Sequence, residues 1–162
     1  VTSFNKTSVA YSRYLRIKER DPRFVLAGRA KAGFIFGTTR DSVPADLRFY
    51  AGGGGSVRGF GYQLAGELDD DDDPIGGRSL FELAGELRSQ FTETIGAALF
   101  VDSGAAYSAT APDFEEFPRV GAGVGLRYFS PIGPLRLDVG VPVNRRDDDD
   151  AFQIYVSIGQ AF

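Results

Sequence analysis

The sequence predicts an all-β chain whose antiparallel strands form part of a transmembrane β-barrel. Three observations carry this. Apolar residues recur with period two in seven segments, most segments are about ten residues long, and short connections alternate with long acidic ones. Ten residues cross a hydrocarbon core at a tilt near 45°.

The segments follow in order. Residues 7–18 alternate weakly. Residues 23–36 set Phe24, Leu26, Ala30, Ala32, Phe34 and Phe36 against Arg23, Arg29 and Lys31. Residues 81–91 set Phe81, Leu83, Leu87 and Phe91 against Glu82, Glu86, Arg88 and Gln90. Residues 95–104 place Leu99 and Val101 opposite Phe100 and Asp102. Residues 119–129 place Val120, Ala122, Val124, Leu126 and Tyr128 opposite Arg119, Gly121, Gly123, Gly125 and Arg127. Residues 133–144 place Leu135, Leu137, Val139, Val141 and Val143 opposite Arg136, Asp138 and Gly140. The last strand, within 151–162, places Phe152, Ile154, Val156, Ile158 and Phe162 opposite Gln153, Tyr155, Ser157 and Gly159. Helical spacing fits none of these segments.

In a soluble sandwich the apolar face is the core; in a membrane barrel it meets lipid and the charged face lines a lumen. Four features favour the membrane. Residues 18–22, 92–94 and 130–132 are tight turns, whereas 37–80, 105–118 and 145–150 are longer. Aromatics gather at strand ends: Phe24, Phe36, Phe91, Tyr128, Phe129, Phe152 and Phe162. Arginines and carboxylates occupy mid-strand on the polar face, and the chain ends on an aromatic strand. With the C-terminus periplasmic, every long loop lies outside. Seven strands is an odd count and Val1 is not a start residue, so the expectation is one barrel-domain portion, residues 1–162, with further strands upstream. A free-standing small barrel or adhesin would instead pair 7–18 with 151–162.

Composition removes several function classes. The 162 residues contain no His, Cys, Met or Trp, which excludes thiol and Ser-His-Asp nucleophiles and zinc-thiolate sites. Net charge is −4 and pI about 4.9, against nucleic-acid binding. Mean hydropathy is −0.15 and no apolar run approaches 18 residues, so no transmembrane helix is expected.

The connection 37–80 holds Arg48-Phe49-Tyr50-Ala51-Gly52-Gly53-Gly54-Gly55-Ser56-Val57-Arg58-Gly59-Phe60-Gly61-Tyr62. No Gly-Lys-Ser/Thr follows, so it is not a phosphate loop. It is either a flexible external loop or a device that carries Arg58 into the lumen. Gly121, Gly123 and Gly125 share one inward strand face, which either clears a groove for another backbone or bends the wall. Asp102 points inward by parity with Phe100. It pairs with Arg58, in which case exchanging the two charges should restore lost function, or with Arg88, Arg127 or Arg136. Asp69–Asp73 and Asp147–Asp150 read as solvated loops rather than calcium sites. Glu82 with Glu86, or Glu115 with Glu116, are the only candidate acid/base pairs. No catalysis or cofactor is expected.

These motifs resemble the BamA/TamA superfamily of outer-membrane assembly and translocation proteins, the bacterial surface antigen barrels. Val57-Arg58-Gly59-Phe60 within the loop is similar to the family's loop signature. Phe100-x-Asp102-x-Gly104 is similar to its second barrel signature. The stretch 125–138 and the terminal strand complete the likeness, in family order. Tyr62 and Ser130-Pro131-Ile132-Gly133-Pro134 are most similar to the TamA branch. The resemblance implies a 16-stranded barrel behind periplasmic POTRA domains, of which this chain supplies the last seven strands. It implies that the loop arginine, here Arg58, folds into the lumen against Asp102. It also implies that Tyr155 and Phe162 belong to a terminal recognition signal on the seam strand. The implied partners are client outer-membrane or autotransporter proteins, outer-membrane lipid and, through POTRA domains, an inner-membrane-anchored TamB-like protein.

Overall fold

The computed structural model describes residues 3–18, 21–114, 118–160 and 162; Glu115 and Glu116 lie outside them. Seven strands run β1 (Asn5–Lys18), β2 (Asp21–Phe36), β3 (Ser79–Gln90), β4 (Ile95–Tyr107), β5 (Arg119–Ser130), β6 (Gly133–Pro142) and β7 (Gln153–Ile158). Each pairs antiparallel with the next in one meander. The sheet is open, with β1 and β7 as its edges. The closed ring that pairs residues 7–18 with 151–162 is therefore not formed.

The two faces are inverted relative to a soluble sheet. Leu99, Val124, Leu126 and Val156 are 57%, 55%, 58% and 78% exposed, whereas Glu86, Asp102 and Asp138 are at or below 1%. A soluble sandwich would bury the first set, so that reading is set aside.

The sheet curls around the long connection. The Arg29 guanidinium on β2 donates to the Gly55 carbonyl at 3.0 Å. The Tyr155 ring on β7 packs against the neighbouring Gly54. A flat sheet would hold β2 and β7 about 24 Å apart, five spacings of about 4.8 Å. Two side chains cannot span that and meet adjacent residues, so curvature brings them together.

The connection itself is structured. Short 3-10 turns occur at Arg40–Ser42 and Ala45–Leu47, and Phe49 bridges Gly77. Arg48 donates to the carbonyls of Val43 at 3.0 Å and Ile75 at 2.9 Å. Val43, Phe49, Ala51, Val57, Phe60 and Ala65 form an apolar core with Ile35, Leu80 and Ala106 of the sheet. The flexible-loop alternative fails because these side chains remove apolar area from water.

β1, β2 and β3 each begin two residues before the segments the periodicity marks, and three later limits differ for structural reasons. β4 runs on to Tyr107 because Ala105, Ala106 and Tyr107 are buried, with Gly66 bridging Ala106. β6 stops at Pro142. β7 spans six residues, ending before Gly159, whose φ of +102° turns the chain away. Phe162 consequently leaves the outward face. Its ring lies 5.4 Å from the Arg29 guanidinium and 5.5 Å from that of Arg88, and its carbonyl accepts from the Tyr14 hydroxyl. Phe129 also turns from the girdle, with its ring beside Gly96 on the charged side. Phe24, Phe36, Phe91, Tyr128 and Phe152 do face outward.

Candidate functional site: an arginine clamped on the inner face

Register builds the floor of the site. Asp102 on β4 lies beside Gly121 on β5. The next inward row is Glu86, Phe100, Gly123 and Gly140; the next is Arg88, Ala98, Gly125, Asp138 and Tyr155. Gly121, Gly123, Gly125 and Gly140 thus lie beside the carboxylates on β5 and β6, leaving room above that part of the sheet.

Arg58 fills that room. Its Nε donates to Asp102 Oδ2 at 2.6 Å and its Nη2 to Asp102 Oδ1 at 2.9 Å, a bidentate pair. Its backbone N–H adds a third bond to Asp102 Oδ2 at 3.1 Å. Nη1 donates to Glu86 Oε2 at 2.6 Å and to Asp138 Oδ2 at 3.3 Å. The guanidinium stands 3.6 Å from the Phe100 ring centroid, a cation–π contact worth about 2 kcal/mol when desolvated. Val57 and Phe60, on either side of the motif, are each 1% exposed within the apolar core.

The backbone beside Arg58 needs glycine. Gly59 has φ +107°, and a Cβ there would meet the Val141 carbonyl oxygen at 2.8 Å. A Cβ on Gly121 would overlap the Arg58 carbonyl oxygen, and one on Gly140 would stand 2.7 Å from the Gly59 nitrogen. The predicted glycine row therefore does not act as one groove. Gly121 receives the loop backbone, Gly123 lies under the Phe100 ring and Gly125 clears Asp138 and Arg127. Gly140, on the next strand, is the second backbone receiver. Gly104 lets β4 pass the Phe81 carbonyl and Glu82 on β3.

The remaining inward charges form one network. Arg88 and Arg127 both reach Glu86 Oε1, at 2.7 and 3.2 Å. Arg127 and Arg136 both bond Asp138. Asp102 takes Arg58 rather than Arg88, Arg127 or Arg136. Glu82 accepts from the Ser56 hydroxyl and stands 3.7 Å from Arg29 and 3.9 Å from Lys31. Glu82 and Glu86 are thus both committed to loop contacts and cations, an arrangement unlike an acid/base pair.

Sequence reasoning missed Asp138, Arg127 and Arg136 as members of one cluster, and missed Arg146. Parity identifies the first three as inward; only register brings them together. Arg146 donates to the Leu64 carbonyl and to that of Gly66 at 3.1 Å, stapling the β6–β7 connection to the long loop. Asp149 holds it, Nη2 to Oδ1 at 2.9 Å, and accepts from the Arg146 N–H at 2.8 Å.

Burial alone would raise the Asp149 carboxyl, but the Arg146 bonds and the charge of Arg119 hold it below the ordinary aspartate range. Its contribution is complete above the unfolded value, about 3.9, and is lost as pH falls through the depressed folded value. Amide exchange at 64–66 and 145–150 is therefore expected to rise below about pH 4. Asp149→Asn should exchange faster at neutral pH and lose that acid step.

An open antiparallel meander, apolar on its outer face, charged on its inner face and curled around a clamped loop, has the strand arrangement of a β-barrel wall. Residues 2–162 match the family model described as the Omp85 superfamily domain, and the chain belongs to that superfamily. It is 30% identical over 165 residues to the outer membrane protein assembly factor BamA of Nitratidesulfovibrio vulgaris, covering 98% of this chain and 20% of that protein. It superposes with a TM-score of 0.76 on the crystal structure of BamA from Haemophilus ducreyi lacking POTRA domains 1–3. That match has 22% identity and covers 96% of this chain and 35% of the other. The chain thus spans about a fifth of its curated relative.

Proposed function

We propose that residues 1–162 are the C-terminal seven strands of a 16-stranded outer-membrane barrel that helps insert other barrel proteins. The remaining strands and the POTRA domains belong to the rest of the protein. The observation that carries the reading is Arg58, delivered by a glycine-rich loop onto Asp102, Glu86 and Asp138, in a chain 30% identical to a BamA. The outward apolar face meets lipid, the short turns and the C-terminus face the periplasm, and the loop occupies the lumen. Client strands would add at an open edge, gaining backbone hydrogen bonds before release to lipid. Folding and lipid burial supply the driving force, so no nucleotide enters.

The spelling at Tyr62 and Ser130–Pro134 favours the TamA branch within this reading. That branch implies autotransporter clients and a TamB-like partner at the inner membrane. Depletion of the complete protein in its own cells tests both levels. The level of folded barrel proteins in the outer membrane is expected to fall several-fold. A fall confined to autotransporters supports the TamA branch, and a general fall supports a BamA role. Unchanged levels of every outer-membrane protein would remove the assembly reading.

A further inference from the structure

β7 is the least secured strand of the sheet. It has six residues, pairs with β6 alone, and its outer face carries only Ile154, Val156 and Ile158. Its inner face makes one specific attachment to the loop. The Tyr155 hydroxyl accepts from the Gly59 N–H at 2.9 Å and donates to the Phe60 carbonyl at 2.7 Å. Among the described residues these are the only hydrogen bonds between β7 and the 37–78 connection. Both are made to the two residues that follow Arg58.

The chemistry of this tie is restrictive. One phenol supplies an acceptor to Gly59 and a donor to Phe60 at once. No other hydrogen bond reaches either backbone group among the described residues. Phenylalanine would keep the ring against Gly54 but leave a buried N–H and a buried carbonyl unmet. The Gly59–Phe60 backbone is also confined from the other side. Gly59 rests on the Val141 carbonyl and the Gly121 Cα, and Arg58 is bonded into the carboxylate cluster. The hydroxyl therefore meets its partners only while Arg58 is seated.

We propose that Tyr155 is a positioning residue that makes the firmness of β7 depend on the seating of the Arg58 loop. When the loop is seated, the hydroxyl holds β7 onto the wall. When the loop lifts, both bonds break and the β7 edge loosens; by linkage, a loosened β7 eases the loop out. This assigns Tyr155 to an internal tie rather than to a recognition signal. The meaning of a loosened edge for clients rests on the assembly reading, but the tie itself does not.

The test uses the complete protein in lipid vesicles, with amide hydrogen exchange at 153–158 as the readout. Four forms are compared: unaltered, Tyr155→Phe, Arg58→Lys, and the double variant. Tyr155→Phe is expected to speed exchange in β7 about tenfold while β3–β4 amides hold. Arg58→Lys should also speed β7 exchange, and the double variant should exchange no faster than the more perturbed single. Unchanged β7 exchange in Tyr155→Phe, or fully additive effects, would overturn the coupling and leave Tyr155 as packing. Should Tyr155→Phe not fold, Arg58→Lys decides alone: β7 exchange must rise with it. Client insertion rates in the same vesicles separate the two ideas. Coupled exchange with unaltered insertion keeps the tie and counts against the assembly reading, whereas altered insertion with unaltered exchange overturns the tie.

Discussion

Replacing Arg58 with alanine is expected to destabilise the fold by about 3–5 kcal/mol, because it strands a buried carboxylate. Glu86 keeps Arg88 and Arg127, and Asp138 keeps Arg127 and Arg136. Asp102 keeps nothing comparable, since both its oxygens are bonded by Arg58. Adding Asp102→Asn to Arg58→Ala should therefore recover a large part of the loss, which urea midpoints of the complete protein in lipid will show. Recovery by neither Asn nor Ala at 102 would mean that the loop, and not the orphaned charge, carries the effect. Arg58→Lys should fall between, because an ammonium cannot bond Asp102 in bidentate fashion while reaching Glu86 and Asp138.

The structure also reverses an expectation about charge exchange. A simple Arg58–Asp102 pair would tolerate swapping the two. An aspartate at 58 would instead face Glu86 and Asp138, which the native arginine contacts at 2.6 and 3.3 Å. The swapped double variant is therefore expected to be no better than either single change.

Gly121→Ala is expected to be nearly as damaging, about 3 kcal/mol, for a steric reason. Its Cβ would overlap the Arg58 carbonyl oxygen. That atom has no flexible neighbour to yield. The Arg58 N–H is bonded to Asp102 and the Gly59 N–H to Tyr155. The loop must lift, which breaks the Arg58 cluster as well. Two glycines serve as controls. A Cβ on Gly85, on the outward face, meets nothing nearer than the Val101 carbonyl oxygen at 3.9 Å, and one on Gly55, in the same loop, meets nothing within 4 Å. Gly85→Ala and Gly55→Ala should leave the midpoint unchanged or slightly raised. Equal losses at all three positions would show that glycine content, rather than close approach at 121, is what matters.

The strands were legible because a pleat alternates side chains wherever it forms. The run Leu135, Leu137, Val139, Val141 and Val143 predicts β6 and its outward face directly, although the strand ends at Pro142. The same parity points Glu86, Asp102 and Asp138 inward, and all three are buried. Parity failed at Phe162, where Gly159 breaks the pleat before the chain ends. It also failed to foresee that the 37–80 connection has its own apolar core. Val43, Phe49, Val57 and Phe60 lie too far apart in sequence, and at too irregular a spacing, to read as one face.

The alternation, the two faces, the turn lengths and the residues able to sit inside were thus determined by the sequence alone. These follow from local backbone geometry and the separation of apolar from charged groups. The tertiary structure decided which inward groups meet. Arg58 lies 28 residues from Glu86, 44 from Asp102 and 80 from Asp138, and it reaches all three only once register aligns the rows and curvature folds the sheet over the loop. The open β1 and β7 edges and the tie from Tyr155 to Gly59 and Phe60 arise at the same level. Period two says which way a side chain points; only the path of the whole chain says what stands opposite it.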